Sequence, residues 1–162
     1  MEGMTGDRRR LLKASGAAAV YGMFVAAGLI RPGAALAQTN WNKEAFASKN
    51  LNDVVKAFGG SGVAPTTEVS WGSTPEIAEN GAVVPINITS RVPNTQSIAV
   101  LIEKNPNALA AKFDFSPGTD PTVSTRVKIG QSSNVHALIK TADGKYFVAT
   151  REVKVTLGGC GG

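Results

Sequence analysis

The chain has 162 residues, with 17 Lys and Arg, 12 Asp and Glu and a formal charge of +5. Five of the basic and two of the acidic residues fall within the first 37 positions, so residues 38–162 carry only 12 − 10 = +2. Aromatic residues make up 6% of the chain, and Lys and Arg do not cluster beyond the N-terminus. The sequence therefore lacks the charged stripe and the stacking platform of nucleic-acid-binding proteins, and this class is excluded.

The N-terminus has the three parts of a bacterial signal peptide. The charged segment DRRRLLK (7–13) precedes an Ala/Gly-rich apolar stretch (14–30) and an A-x-A site, which predicts cleavage of residues 1–37. The charged segment resembles the twin-arginine export signal, with Arg8 and Arg9 as the pair. A transmembrane anchor is the alternative, but this weakly apolar stretch is shorter than the roughly 20 residues that a span needs. We expect a periplasmic protein, exported by the twin-arginine pathway, with no membrane attachment after cleavage.

Residues 38–157 suffice for one domain with a single core. The first predicted element is a short N-terminal helix over 43–58, where apolar residues recur at helical spacing. The pair Gly59-Gly60 is expected to end this helix.

Seven short runs rich in β-branched residues follow the helix, separated by turn formers. They predict a mainly β fold, an antiparallel β-sandwich of about seven strands. Pro85 cannot donate a ladder hydrogen bond, so its strand is expected to be an edge strand or bulged. Asp143-Gly144 predicts a hairpin between the last two strands, and Trp71 and Phe113 are expected in the core. The runs cover 66–71, 82–90, 96–103, 109–115, 122–129, 134–141 and 145–156.

The sequence LGGCGG (157–162) holds Cys160, the only cysteine in the chain. Its neighbours Gly158, Gly159, Gly161 and Gly162 offer no side chain for packing and favour a flexible arm over 158–162. In an oxidising compartment an unpaired cysteine indicates intermolecular pairing or a free reactive thiol. The pattern predicts that the thiol is carried on a tether into another protein.

The residue types in the sequence give little indication of catalysis or metal binding. The only histidine, His136, lies in a predicted strand and is expected to be an exposed strand residue rather than a general base for Cys160. One histidine, with all three methionines in the first 37 residues, excludes a blue-copper site. The Asp and Glu residues are scattered along the sequence and do not form a pair suited to acid–base catalysis. The sequence therefore predicts no catalytic residue, metal or cofactor. Cys160 is interpreted as a thiol on which other enzymes act.

The complete Gly158-Gly159-Cys160-Gly161-Gly162 motif, behind an export signal and seven strands, resembles the SoxY family, the thiosulfate-carrier subunits of the bacterial sulfur-oxidising (Sox) system. The similarity covers the domain sequence of family members as well as their C-terminal motif. It is carried by the segments NPNALAAKFDFSPG, VSTRVKIGQSSNV and REVKVTLGGCGG. The resemblance implies an immunoglobulin-like sandwich that forms a heterodimer with SoxZ and is exported with it.

The resemblance also implies a reaction cycle in which the carrier is not itself an enzyme. A haem enzyme, SoxXA, would join thiosulfate to the thiol of Cys160 as a cysteine S-thiosulfonate. SoxB, a manganese-dependent hydrolase, would then release sulfate and leave a persulfide, which a sulfane dehydrogenase can oxidise further. Cys160 is thus the expected site of covalent substrate attachment, and these enzymes are transient partners.

Two other hypotheses stay open at this stage. A thiol-disulfide or persulfide relay protein would exchange Cys160 with a cysteine of another protein, although the chain has no C-x-x-C pair. A structural periplasmic module would use the same residue to form a disulfide-linked dimer.

Overall fold

The computed structural model of the protein describes residues 42–156. The predicted signal peptide, with Arg8 and Arg9, lies outside the described residues, as does the predicted arm with Cys160 and its four glycines. Within the described part of the chain, no helix has the length and apolar character needed to cross a membrane.

Two short helices, α1 (Lys43–Ala47) and α2 (Leu51–Ala57), stand where the sequence predicts one. The chain becomes extended at Ser48, whose carbonyl oxygen accepts a hydrogen bond from the Ala108 N–H at 2.9 Å. The Asn50 side chain then accepts the Asp53 N–H at 2.9 Å and begins the second helix. The prediction of a continuous helix is wrong because the loop before a later strand uses the carbonyl of Ser48.

Nine strands follow the helices. All seven predicted strands are present, and two further strands of two residues each were not predicted. The strands are β1 (Ala64–Pro65), β2 (Val69–Ser70), β3 (Ile77–Ala78), β4 (Val84–Ser90), β5 (Thr95–Ile102), β6 (Leu109–Asp114), β7 (Thr122–Val127), β8 (Ser133–Thr141) and β9 (Tyr146–Val155).

The strands form two sheets, an arrangement that confirms the predicted immunoglobulin-like β-sandwich. The larger sheet has the order β1-β9-β8-β5-β6, with β3 also paired to β9, and the smaller sheet has the order β2-β4-β7. The long strands pair antiparallel, whereas the two short additions, β1 and β3, run parallel to β9. The C-terminal strand β9 is therefore held by three other strands.

Two apolar clusters lie on opposite faces of the larger sheet. The cluster between the sheets contains fully buried Ile86, Ile98 and Ile139, and each such side chain contributes about 1.5–3 kcal/mol through burial. Trp71 and Phe113 are partly buried against this cluster, at its margin rather than at its centre. The second cluster joins the opposite face of the sheet to the two helices.

The position of Pro85 differs from the expected edge strand. Its strand, β4, is central in the smaller sheet, between β2 and β7. However, β2 reaches only Thr89 and Ser90, and Pro85 has a strand partner on one side alone, Arg126 of β7. Proline is tolerated because the neighbouring strand stops before reaching it.

Candidate functional site

The end of β9 is the described part of the chain that comes nearest to Cys160 in the sequence. On one edge, the N–H of Lys154 donates to the carbonyl oxygen of Glu76 at 2.8 Å, and the N–H of Thr156 donates to that of Ala78 at 3.1 Å. These bonds belong to the parallel pairing of β3 with β9. Strand β3 could not be predicted from the sequence, because two residues are too few for a periodic pattern.

The other edge of the same segment is held by a side chain. The N–H of Val155 donates to Ser132 Oγ at 2.9 Å, and the Ser132 hydroxyl lies 3.4 Å from the Val155 carbonyl oxygen. Val153 is fully buried between the sheets, and Val155 packs against the same cluster. We call Val155 and Thr156 the arm base: it is bonded on both edges and packed on its inner face.

The hairpin that precedes the arm base forms as predicted. Strands β8 and β9 pair antiparallel from Ser133 opposite Val153 to Lys140 opposite Tyr146. Gly144 in the turn has a φ of 80°, in the left-handed region that glycine adopts readily. The long ladder joins the arm base to the centre of the larger sheet.

His136 is less exposed than the sequence analysis expected. Its side chain is 14% exposed, because it lies on β8 among side chains of neighbouring strands. The imidazole Nδ1 lies 2.9 Å from the hydroxyl of Thr150, and Nε2 lies 3.9 Å from a carboxylate oxygen of Glu103. Burial lowers the pKa of His136 from its ordinary value of 6.5, and the nearby Glu103 charge partly opposes this shift. The imidazole is therefore neutral at pH 7.

The histidine is not part of the arm base. Its partner Thr150 precedes Thr156 by six residues, about 20 Å along an extended strand. Among residues 42–156, no group of three or more His, Cys, Asp and Glu side chains could hold a metal ion. The described residues at the arm base hold the segment that leads toward Cys160 in the sequence.

A cleft of about 540 Å³ opens at the opposite end of the sandwich. It lies between the segments 90–96 and 115–121, with Phe115 at its wall and Arg91 at its rim. Among the described residues, neither His136 nor the arm base lines this cleft.

The structure thus shows an immunoglobulin-like sandwich whose last described residue, Thr156, precedes Cys160 by four positions in the sequence. The family model of the sulfur oxidation protein SoxY matches residues 55–160, more than half of the chain. The chain belongs to the SoxY family. The matched segment includes Cys160.

A solved structure of a SoxY protein supports the same relationship. The sulfur carrier protein SoxY from Chlorobium limicola f. thiosulfatophilum is 32% identical, with a TM-score of 0.58 over 65% of this chain and 94% of that chain. A superoxide reductase (neelaredoxin) from Ignicoccus hospitalis is 20% identical, with a TM-score of 0.49 over 56% of this chain and 82% of that chain, and it supports no functional argument. No curated protein matches the chain.

Proposed function

We propose that this protein is a periplasmic carrier of sulfur intermediates in thiosulfate oxidation, with the thiol of Cys160 as the point of covalent attachment. Membership of the SoxY family supports a sulfur-carrier role in a Sox system. The single observation that carries the proposal is the family match, which extends from the sandwich through Cys160.

The loading step is an oxidative coupling. The sulfur of Cys160 forms a bond with the terminal sulfur of thiosulfate, the thiol proton is released, and two electrons leave to the haem of SoxXA. The product is the cysteine S-thiosulfonate, R–S–S–SO₃⁻. Nothing in the sequence beside Cys160 favours the thiolate, so the receiving enzyme has to promote its deprotonation.

The unloading step is a hydrolysis. Water attacks the sulfonate sulfur at the site of SoxB, and the bond between this sulfur and the adjacent sulfane sulfur breaks. Sulfate leaves, the protons of the water are released, and a persulfide remains on Cys160. A sulfane dehydrogenase then removes six electrons from the persulfide sulfur as three waters supply its oxygens, and a second hydrolysis restores the thiol. In each step the carrier supplies only the sulfur atom and its placement.

The described residues explain how such a carrier holds its tether. The arm base is bonded to Ala78 and to Ser132, so the tether has a defined origin on the sandwich. The glycines around Cys160 present no side chain to obstruct a narrow cleft. The proposal also includes a SoxZ subunit as the stable partner. The protein is exported by the twin-arginine pathway, and residues 1–37 are then cleaved.

Reconstitution with purified partners tests this function. Wild-type protein in complex with SoxZ is expected to take up thiosulfate sulfur on Cys160 in the presence of SoxXA and an electron acceptor. The Cys160→Ser variant is expected to bind SoxZ normally but to remain unloaded. Equal uptake by the two proteins would place the attachment elsewhere and overturn the proposal.

A further inference from the structure

The cleft at the end of the sandwich opposite the arm base is built from three loops. The segments 90–96 and 115–121 form its sides, and Ala142 in the turn between β8 and β9 contributes to its wall. Its volume of about 540 Å³ falls within the range of roughly 300–1,000 Å³ that is usual for small-molecule sites. A cleft of this size accommodates an organic molecule rather than a single ion.

Three backbone hydrogen bonds cross between the loops and hold the walls of the cleft in place. They run from the N–H of Ala142 to the carbonyl oxygen of Asn94 (2.9 Å), from that of Ser90 to Pro121 (3.0 Å) and from that of Phe115 to Gln96 (2.9 Å). Within the segment 90–96, the Thr95 hydroxyl also donates to the carbonyl oxygen of Val92 at 2.7 Å. The cleft therefore exists before any ligand enters, and binding does not have to order its loops.

Of the described residues that line the cleft, Arg91 is the only charged one. Its N–H donates to the carbonyl oxygen of Glu68 at 2.8 Å, but its guanidinium forms no ion pair within residues 42–156. Asp120 and Asp143 follow lining residues in the sequence without lining the cleft, and Asp143 is paired with Lys145 at 2.7 Å. The lining thus carries a positive charge that no carboxylate compensates, which favours an anionic ligand.

The rest of the lining combines an aromatic side chain with hydrogen-bonding groups that have no protein partner. Phe115 packs against the apolar cluster between the sheets, so its ring is held in place. The side chains of Asn94, Gln96 and Ser116 form no hydrogen bond within the described part of the chain. A ligand with an apolar body and polar atoms could satisfy these groups and cover the ring at the same time.

We propose that this cleft binds a small organic anion, a molecule with a carboxylate or sulfonate group on an apolar body. The guanidinium of Arg91 pairs with the anionic group, and the amides of Asn94 and Gln96 donate to its oxygens. Phe115 packs against the apolar body. Strand β9, with 10 residues and a length of about 30 Å, runs from this end of the sandwich to the arm base. A ligand in the cleft therefore does not touch the arm base, and the inference does not rest on the proposed carrier function.

The test uses benzoate as the probe, because it places a carboxylate on an aromatic ring. Saturation-transfer NMR measures its binding to the purified full-length protein, together with any subunit that co-purifies. The Kd for benzoate is expected on the order of 1 mM or below. Benzamide has nearly the same shape without the charge, and acetate has the charge without the ring. Each should bind at least about tenfold more weakly than benzoate.

Two substitutions locate the probe in the cleft. Arg91→Gln removes the charge and should raise the Kd for benzoate about tenfold or more. Arg126→Gln makes the same change at an exposed arginine of β7 outside the cleft, and it should leave the Kd unchanged. Asn94 has a φ of 57°, which glycine adopts readily, so Asn94→Gly removes the amide and preserves the turn. This variant should raise the Kd about fivefold without lowering the melting temperature.

Three results would overturn the site: no saturable binding of benzoate, equal affinities for benzoate and benzamide, or equal effects of the two arginine substitutions. Loading of Cys160 with thiosulfate sulfur is measured separately and does not involve these residues. Failure of the anion site would therefore leave the carrier function standing, and failure of loading would leave the anion site standing.

Discussion

The backbone N–H of Thr156 donates to the carbonyl oxygen of Ala78 at 3.1 Å, so β3 accompanies β9 to the last described residue. This bond fixes the point from which the chain continues to Cys160. Without β3, the end of β9 would have a free edge on this side and would be held there only by packing. The two-residue strand β3 thus holds the end of β9, from which the chain continues to the proposed tether.

Ser132 is the partner of the arm base on its other edge, and its removal should weaken that end of the sandwich. Ser132→Ala leaves the N–H of Val155 without its bond at 2.9 Å, which should lower the free energy of unfolding by about 1–2 kcal/mol. Urea denaturation measures this loss. Ser124→Ala on the exposed face of β7 is the control and should change stability by less than about 0.5 kcal/mol. Equal effects of the two substitutions would show that the Ser132 bond is not stabilising.

Substitution by alanine should have opposite effects on stability at Gly60 and Gly62, although the two residues are only two positions apart. A Cβ at Gly60 would lie 2.7 Å from Val55 Cγ1 and 2.8 Å from the Tyr146 ring, so Gly60→Ala should cost about 1–3 kcal/mol through overpacking. A Cβ at Gly62 meets nothing within 4 Å, so Gly62→Ala should be neutral or stabilise by up to about 1 kcal/mol. The melting temperatures of the two variants test this prediction. A lower melting temperature for Gly62→Ala than for Gly60→Ala would contradict it.

His136 should make stability depend on pH near neutrality. Its pKa is lowered in the folded protein, so the unfolded chain binds more protons, and the free energy of unfolding should fall as pH drops below the ordinary value of 6.5. Because the chain has one histidine, His136→Gln removes this contribution entirely. The difference between wild type and variant, measured by urea denaturation between about pH 5.5 and 7.5, should move in favour of the wild type as pH rises. A constant difference would show that the imidazole has its ordinary pKa.

Glu103 provides a second check on the same group. Its carboxylate opposes the effect of burial, so Glu103→Gln should lower the pKa of His136 further. An NMR titration of the imidazole resonances follows this directly. A pKa that rises in the variant would mean that Glu103 does not face the imidazole in solution.

The sequence predicts the sandwich well because its long strands have strong local signals. The run 134–141 is rich in apolar residues and is followed by the turn former Asp143-Gly144, and β8 and β9 form the expected hairpin. What could not be predicted depends on distant partners: the break at Ser48 needs Ala108, and β3 needs the end of β9. The burial of His136 likewise follows from the register that sets it opposite Thr150. The attachment site comes from a local motif, Gly-Gly-Cys-Gly-Gly, whereas the surface around its origin is visible only in the fold.

The glycines beside Cys160 should matter for transfer and not for folding. Gly161→Val adds a branched side chain next to the reacting sulfur, and the misplacement should slow enzymatic loading about tenfold or more. Thermal stability should be unchanged, because a glycine has no side chain whose packing the substitution could remove. Normal loading of this variant, or a lowered melting temperature, would contradict the role given to the glycines.

The central claim is that Cys160 carries sulfur covalently, and mass spectrometry of the mature protein tests it most directly. The protein would be purified without reductant from cells grown with and without thiosulfate, and the peptide containing Cys160 would be analysed. The account predicts an S-thiosulfonate or persulfide on this peptide in the cells grown with thiosulfate. An unmodified thiol, or only a disulfide to another protein, under both conditions would contradict it.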